Sequence, residues 1–418
     1  MTIAKSIHCP SCGQIIHLKF QIEPSISWRE WPLVLECPDC YNVEEITYSS
    51  KGFKPSMRNA EVNQPGYKVA YCGTLPTPDM LYYEKAESGI GINSVFMIIH
   101  MLYPNVNLRE LGMHMSILEN GIVKYRQALP KLYHMLNGKR TNPKAYYNKM
   151  KIIFGNDIID KPYTTIEECY EHYHEMQECV YRAISMGDYN SGNLNAFFYN
   201  GIKLLIDKGP DAIQEVIEKE LYTKIIDDKV STRINECVSK LQILLPAFFL
   251  DFIPNYRLDE EHLLYILSGT FETINDMYAS NFEVICQCIP ILMSIFNMTR
   301  NGRADIFKND NGVIVDGDMS KFVPLNNGNK ISNMMKIAEL NSVFSEILNT
   351  KIRNGYNHEN TIFYPDTQIG EYHYDQSRPD VVYEIKLIDV AHAVIDQLRC
   401  LLLITKLFHL FKKIGNDK

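Results

Sequence analysis

Two pairs of cysteines constrain the start of this chain more than any other feature. Cys9-Pro10-Ser11-Cys12 and Cys37-Pro38-Asp39-Cys40 are both Cys-x-x-Cys, with residues 13–36 between them. Four thiolates at this spacing close a tetrahedron around zinc. The surrounding residues agree: Ile15 to Ile22 and Leu33 to Glu36 read as strands, and Val43 to Tyr48 follows the second pair as a third. So short a segment has too little apolar material for its own core, and the metal would supply folding energy. We therefore expect a zinc ribbon over residues 1–50, with Cys9, Cys12, Cys37 and Cys40 holding a structural Zn2+. The ribbon would serve either as a staple or as a binding platform. Neither pair opens a convincing helix, which argues against a redox dithiol. Trp28 and Trp31 are the only two tryptophans. Both fall between the pairs and read as the ribbon's small core, the alternative being a contact surface for a partner or a base.

Of the 11 cysteines, the other seven (Cys72, Cys169, Cys179, Cys237, Cys286, Cys288 and Cys400) are scattered, and free thiols of this kind point to a reducing compartment, most simply the cytoplasm. Met1 to Cys12 lacks the apolar core of a secretory signal. The apolar run Leu401 to Ile404 lies between Arg399 and Lys406 and is too short to span a bilayer, so no membrane is expected. A length of 418 residues suggests two or three domains, and 46% apolar with 22% charged residues supplies an ordinary globular core. A net charge of -8 argues against a broad nucleic-acid-coating surface but leaves room for a small basic cleft.

Residues 51 to 90 carry Pro55, Pro65, Pro76, Pro78 and several glycines, and read as an irregular linker. Helical periodicity follows in Asn93–Leu102, Ile117–Leu136, Thr165–Ile184, Asn195–Ile206, Asp211–Ile226 and Val230–Asp251. No fixed-period repeat marks a solenoid. His172 and His174, two apart on a helix, point away from each other and read as a solvated face rather than as metal ligands. Cys286 and Cys288 lie in an apolar run where buried cysteine is ordinary.

The last third reads as four helices: Asp259–Ala279, Phe282–Met298, Ile331–Arg353 and Val382–Phe411. A hairpin insertion over Ile306–Val323 turns at Asn311-Gly312. In the third helix Met334, Ile337, Leu340, Val343, Phe344, Ile347, Leu348 and Ile352 recur at three and four, and Gly355 is expected to end or kink it. A short loop with Pro365 and Gly370 would lead to the last helix.

At the end of that third helix stands Arg353-Asn354-Gly355-Tyr356-Asn357-His358. A permanently charged fork that fits phosphate, an amide and a proton-transfer imidazole can together cleave RNA without a metal. The bare spacing carries little, since Arg109 to His114 and Arg257 to His262 repeat it. Context separates the copies. Glu110 after Arg109 would repel a phosphate, Leu258 after Arg257 offers no hydrogen bond, and only Arg353 is followed by a polar amide. Read without a family, Arg353 can equally cap helix carbonyls and His358 can be an exposed loop residue.

A C-terminal helical bundle with Arg-Asn-x-x-x-His after a long helix resembles the HEPN superfamily. The resemblance implies a four- or five-helix bundle that pairs with a second copy, and a metal-independent endoribonuclease with Arg353, Asn354 and His358 in the catalytic positions. Many members carry a small apolar residue before the histidine, where this chain has Asn357. The union of ribbon and bundle is similar to that of ring-activated zinc-finger ribonucleases of anti-phage defence. That implies an abortive-infection effector switched on by a phage protein. On this reading the fold is mainly α: a zinc ribbon over 1–50, a linker and helical sensing or assembly region over 51–250, and a HEPN-like bundle over 251–418. The substrate would be RNA, and the bundle would make a homodimer or higher homo-oligomer. The alternatives are a catalytically inactive module that binds protein or nucleic acid, and an assembling sensor scaffold.

Overall fold

The computed structural model describes residues 2–21, 30–49, 51–54, 57–88, 94–137, 142–155, 162–185, 192–217, 225–253, 263–305, 319–358, 360–378 and 380–416. The chain divides into two compact units. One comprises Met1–Val123, Lys240–Asp276 and Asn354–Ile395; the other comprises Lys124–Ser239, Met277–Arg353 and Asp396–Lys418. Helices predominate among the described residues, and the strands all belong to the first unit.

In the first unit, β1 (Thr2–His8) runs antiparallel to β2 (Ile15–Gln21), with Ile7 opposite Ile16. Ile16, Leu18 and Phe20 alternate along β2 and are buried, the period of two expected of a strand with one apolar face. A second sheet is built from β3 (Glu30–Glu36), β4 (Val43–Ser49) and β5 (Gly52–Lys54). The first sheet is completed by β6 (Gly66–Cys72), parallel to β2, and β8 (Glu84–Ala86), antiparallel to β6. The described residues between 51 and 88 are therefore not the irregular linker expected over 51–90. Their prolines and glycines punctuate strands in which Tyr67, Val69 and Tyr71 alternate with Lys68 and Ala70. Aromatic packing joins the two sheets: Phe20 stacks on Tyr71 at 4.7 Å and lies 5.1 Å from Tyr48, and the Tyr71 hydroxyl donates to the Pro32 carbonyl at 2.8 Å. Trp31 is buried in this core, as expected, whereas Trp28 lies outside the described residues. A β-carbon at Gly73 would come within 2.5 Å of the Trp31 ring, so only glycine fits there.

The first unit also holds β7 (Thr77–Pro78) paired with β9 (Leu264–Tyr265), the helix α1 (Val95–Leu102), and the start of α2 (Leu108–Leu136). Its last part is an antiparallel meander of β10 (Thr361–Tyr364), β11 (Ile369–Tyr372) and β12 (Tyr383–Lys386). The segment around Pro365 and Gly370 was expected to be a loop. Its strands are four residues each, too short for an alternation to stand out in the sequence.

The second unit is helical. It takes in α3 (Pro143–Phe154), α4 (Ile166–Ser185), α5 (Gly192–Lys208), α6 (Pro210–Ile217) and α7 (Ser231–Ser239). A four-residue α8 (Leu241–Leu244) and a 3-10 turn, Leu245–Phe252, belong to the first unit. On α4, Cys169, Tyr173, Met176, Val180 and Ile184 recur at three and four and are buried. Arg399 is fully buried and closes the end of this helix: its Nε donates to the Ile184 carbonyl at 3.0 Å and its Nη1 to Asp396 at 2.7 Å.

The expected helix pair Asp259–Ala279 and Phe282–Met298 is instead one helix, α9 (Phe271–Asn301), preceded by extended chain at Leu264–Tyr265. Ser280 and Asn281, which read as a break, are accommodated, with Asn281 buried and accepting from Arg233 Nε at 2.6 Å. Asp259 to Glu261 and the turn at Asn311-Gly312 lie outside the described residues; the end of that insertion, α10 (Met319–Phe322), is helical. The single helix expected over Ile331–Arg353 is three: α11 (Asn327–Met335), α12 (Ala338–Phe344) and α13 (Thr350–Asn357). The final helix, α14 (Leu387–Asn416), starts after β12 rather than at Val382. Among the described residues α9 is the one helix long and apolar enough to cross a membrane, and 78% of its most apolar window is buried.

Candidate functional site

The two cysteine pairs occupy turns of one design. Cys9 and Cys12 lie between β1 and β2, Cys37 and Cys40 between β3 and β4. In the first turn the Gly13 N–H returns to the Cys9 carbonyl at 2.9 Å, and the Cys9 N–H donates to the Gln14 carbonyl at 2.8 Å. In the second the Tyr41 N–H returns to the Cys37 carbonyl at 2.8 Å, and the Cys37 N–H donates to the Asn42 carbonyl at 2.9 Å. Both turns need a left-handed residue at the same step, filled by Gly13 at φ 77° and Tyr41 at φ 57°. The result brings all four sulfurs within 4.8 Å of one another. Cys9 Sγ lies 3.7 Å from Cys40 Sγ, and Cys12 Sγ 3.6 Å from Cys37 Sγ. A tetrahedron with metal–sulfur bonds of about 2.3 Å has edges of about 3.8 Å, so this spacing fits a tetrathiolate metal ion. Burial pushes the Cys37 thiol up to about 12, so a buried thiolate there calls for a cation beside it. Among the described residues this is the one group of three or more potential ligands that converges.

The Arg-Asn-x-x-x-His segment lies on α13 and its end. Arg353 belongs to the second unit, Asn354 and His358 to the first. Arg353 is part-buried, and its Nε and Nη2 both meet one oxygen of Glu283, at 2.7 and 2.6 Å. Glu283, on α9, takes its other oxygen to the Asn327 side-chain amide at 2.7 Å. Asn354 is half-buried, and its carbonyl accepts the His358 N–H at 3.2 Å, so the helical turn carries through to the histidine. Residues four apart share a helix face, which places Asn354 and His358 on one side, with His358 exposed. A spacing of five, from Arg353 to His358, does not bring side chains face to face on a regular helix.

Gly355 does not end this helix. It lies inside it, where a β-carbon would come within 2.7 Å of the Tyr372 side chain and 3.0 Å of its backbone. Close packing on β11 explains the glycine, and the helix ends two residues later. Tyr356 anchors the same turn, its hydroxyl donating to Asp276 at 2.7 Å.

Of the other two copies of the spacing, Arg109 is exposed while His114 is buried with its ring 4.9 Å from Phe252, so these two do not make a site. Arg257 and His262 lie outside the described residues. His172 and His174 are half-buried rather than a fully solvated face: His172 packs between Tyr146 and Tyr163, and the His174 ring lies 4.2 Å from that of His409. Burial pulls His172 down to about 4 and His174 to about 3, so both are neutral imidazoles near neutral pH.

Two polar groupings escaped the sequence reading. One is Glu283 with Asn327; nothing in the apolar run around Cys286 distinguishes a glutamate that reaches a distant arginine. The other is His392 with Asp251, buried in the first unit at 2.8 Å, their side chains 3% and 0% exposed. Only the tertiary fold joins residues so far apart in sequence. No protein-family model matches this chain, and no curated protein and no solved structure matches it.

Proposed function

We propose that the chain is a metal-independent endoribonuclease whose catalytic groups are Arg353, Asn354 and His358, with a structural zinc ion held by Cys9, Cys12, Cys37 and Cys40. The observation that carries the reading is the exposed imidazole of His358 one helical turn after Asn354, in a segment whose arginine is already oriented by a carboxylate. RNA supplies its own nucleophile. His358 takes the proton of the 2'-hydroxyl as that oxygen attacks the adjacent phosphorus, or gives a proton to the leaving 5'-oxygen. The P–O5' bond breaks, and the products are a 2',3'-cyclic phosphate and a 5'-hydroxyl. Arg353 holds the phosphoryl oxygens as charge builds on them, and Asn354 orders the imidazole or the phosphate. One motif supplies one histidine. Two protomers paired through the C-terminal helices would supply a base and an acid, which suits the poor facing of Arg353 and His358 along one helix. The resemblance to anti-phage ribonucleases supports a cytoplasmic role in abortive infection, triggered by a phage protein.

The test is RNA cleavage by the purified chain, alone and with candidate phage proteins. His358→Ala and Arg353→Ala are each expected to lower cleavage at least a hundredfold while leaving a folded protein, the range over which a general acid–base group acts. Undiminished cleavage by His358→Ala would overturn the reading. The ion pair of Arg353 with Glu283 favours a second reading, in which the segment is structural and the ribbon docks a partner. On that reading the wild-type chain cuts no RNA, and both alanine variants keep its binding and assembly.

A further inference from the structure

We infer that Glu283, held in turn by Asn327, is a positioning residue that sets the Arg353 guanidinium in place before RNA arrives. The inference rests on the ribonuclease reading above. Three residues of the second unit contribute, each from a different helix: Glu283 from α9, Asn327 from α11 and Arg353 from α13. Both carboxylate oxygens are engaged, one by Nε and Nη2 of Arg353 at 2.7 and 2.6 Å, the other by the Asn327 amide at 2.7 Å. A guanidinium is planar, so tying the edge that carries Nε and Nη2 to one oxygen fixes where its plane lies.

The pair is not buried: the side chains of Arg353 and Glu283 are 28% and 33% exposed. An ion pair so wet contributes little to stability, whereas a long side chain fixed in advance forfeits less freedom when it meets a phosphate. Asn327 completes the arrangement by holding Glu283 from the side away from Arg353. It sits at the first turn of α11, whose start is fixed by Asn326 accepting the Asn329 N–H at 2.9 Å. The clamp is thus anchored to a capped helix rather than to a loop.

The expectation separates charge from geometry. Glu283→Gln keeps an oxygen for Arg353, and rotation of the Asn327 amide restores the second contact. Glu283→Ala removes the anchor. Two measurements are made on the full-length chain. The first is solvent exchange of the Arg353 Nε–H, read by NMR on chain labelled with 15N-arginine. The second is cleavage of a fluorophore–quencher RNA oligonucleotide. We expect Glu283→Ala to speed Nε–H exchange at least tenfold and to lower kcat at least tenfold with KM changed less than threefold. Glu283→Gln should stay within threefold of wild type in both. Unchanged exchange in Glu283→Ala overturns the clamp. So does cleavage within threefold of wild type, or an equal loss of kcat in Glu283→Gln, since a role in folding alone or in charge alone predicts those. Should Glu283→Ala fail to fold, Asn327→Ala takes its place: faster exchange with a threefold or greater loss of kcat supports the clamp, and wild-type behaviour in both overturns it. If exchange responds while the wild-type chain cuts no RNA, the ribonuclease reading fails and the orientation of Arg353 by Glu283 stands.

Discussion

Tyr41 and Gly13 occupy the same step of two matching turns, yet only one of them is a glycine. A tyrosine at φ 57° pays a steric cost that glycine does not, and its side chain is 70% exposed and packs on little. Tyr41→Gly is expected to stabilise the chain by roughly 0.5 kcal/mol in denaturant unfolding, with metal content unchanged. Loss of metal on that substitution would mean that the tyrosine does more than turn the chain. Gly355 is the opposite case. The sequence marks it as a stop signal, but its neighbour in space, Tyr372, decides its role. Gly355→Ala must displace the Tyr372 backbone, and we expect a destabilisation of about 1–3 kcal/mol from overpacking. A variant as stable as wild type would place the requirement elsewhere. At this scale the four-cysteine cluster was legible, because its members are written in two short runs of letters. Glu283 was not, because the partner that gives it meaning is seventy residues away along the chain.

The elements tell a similar story of local pattern against context. Period-two alternation made β2, β3 and β4 readable, and the apolar stripe of α4 made that helix readable almost to the residue. Where the reading missed, packing outweighed propensity. Ser280 and Asn281 continue α9, and the apolar series from Met334 to Ile352 covers three short helices instead of one. A burial pattern records which residues face inward, not whether the axis between them is straight. The two histidines of α4 have a further consequence. Both are neutral when folded, drawn below their usual 6.5 by burial, to about 4 for His172 and about 3 for His174. In the unfolded chain they take up protons at about 6.5. As pH falls below that value the unfolded state gains protons that the folded state refuses, and stability is lost. We expect unfolding to need less denaturant at pH 5 than at pH 7, and expect His174→Gln to flatten that slope. An unaltered slope would show that the imidazole is not held neutral in the fold.

Across the whole molecule, the first unit is stitched from distant parts of the chain. Its first sheet brings residues 66–72 beside residues 15–21, and its meander comes from residues 361–386. A reading that cuts a chain into consecutive blocks cannot anticipate such pairing, since parallel partners are separated by long crossovers. The four-cysteine cluster, by contrast, was visible because its members come from one short stretch. Bound zinc is expected at one ion per chain by elemental analysis, falling to near zero in Cys37→Ser. A strong chelator should lower the melting temperature rather than act on the RNA cleavage proposed for Arg353 and His358; a chelated protein that stays folded yet loses that cleavage would contradict this.

The four sulfurs also join two sheets that share no strand, one pair on the β1–β2 turn and the other on the β3–β4 turn. Within the cluster Cys9 and Cys37 are buried, Cys40 is half-buried and Cys12 is exposed. Of the four, an oxidant would therefore meet Cys12 first, and if the cluster holds the metal proposed above, loss of that ligand would release a tie between both sheets at once. A metal ion held there would thus have an exposed fastening, and the stability of the chain should follow the thiol chemistry of its surroundings.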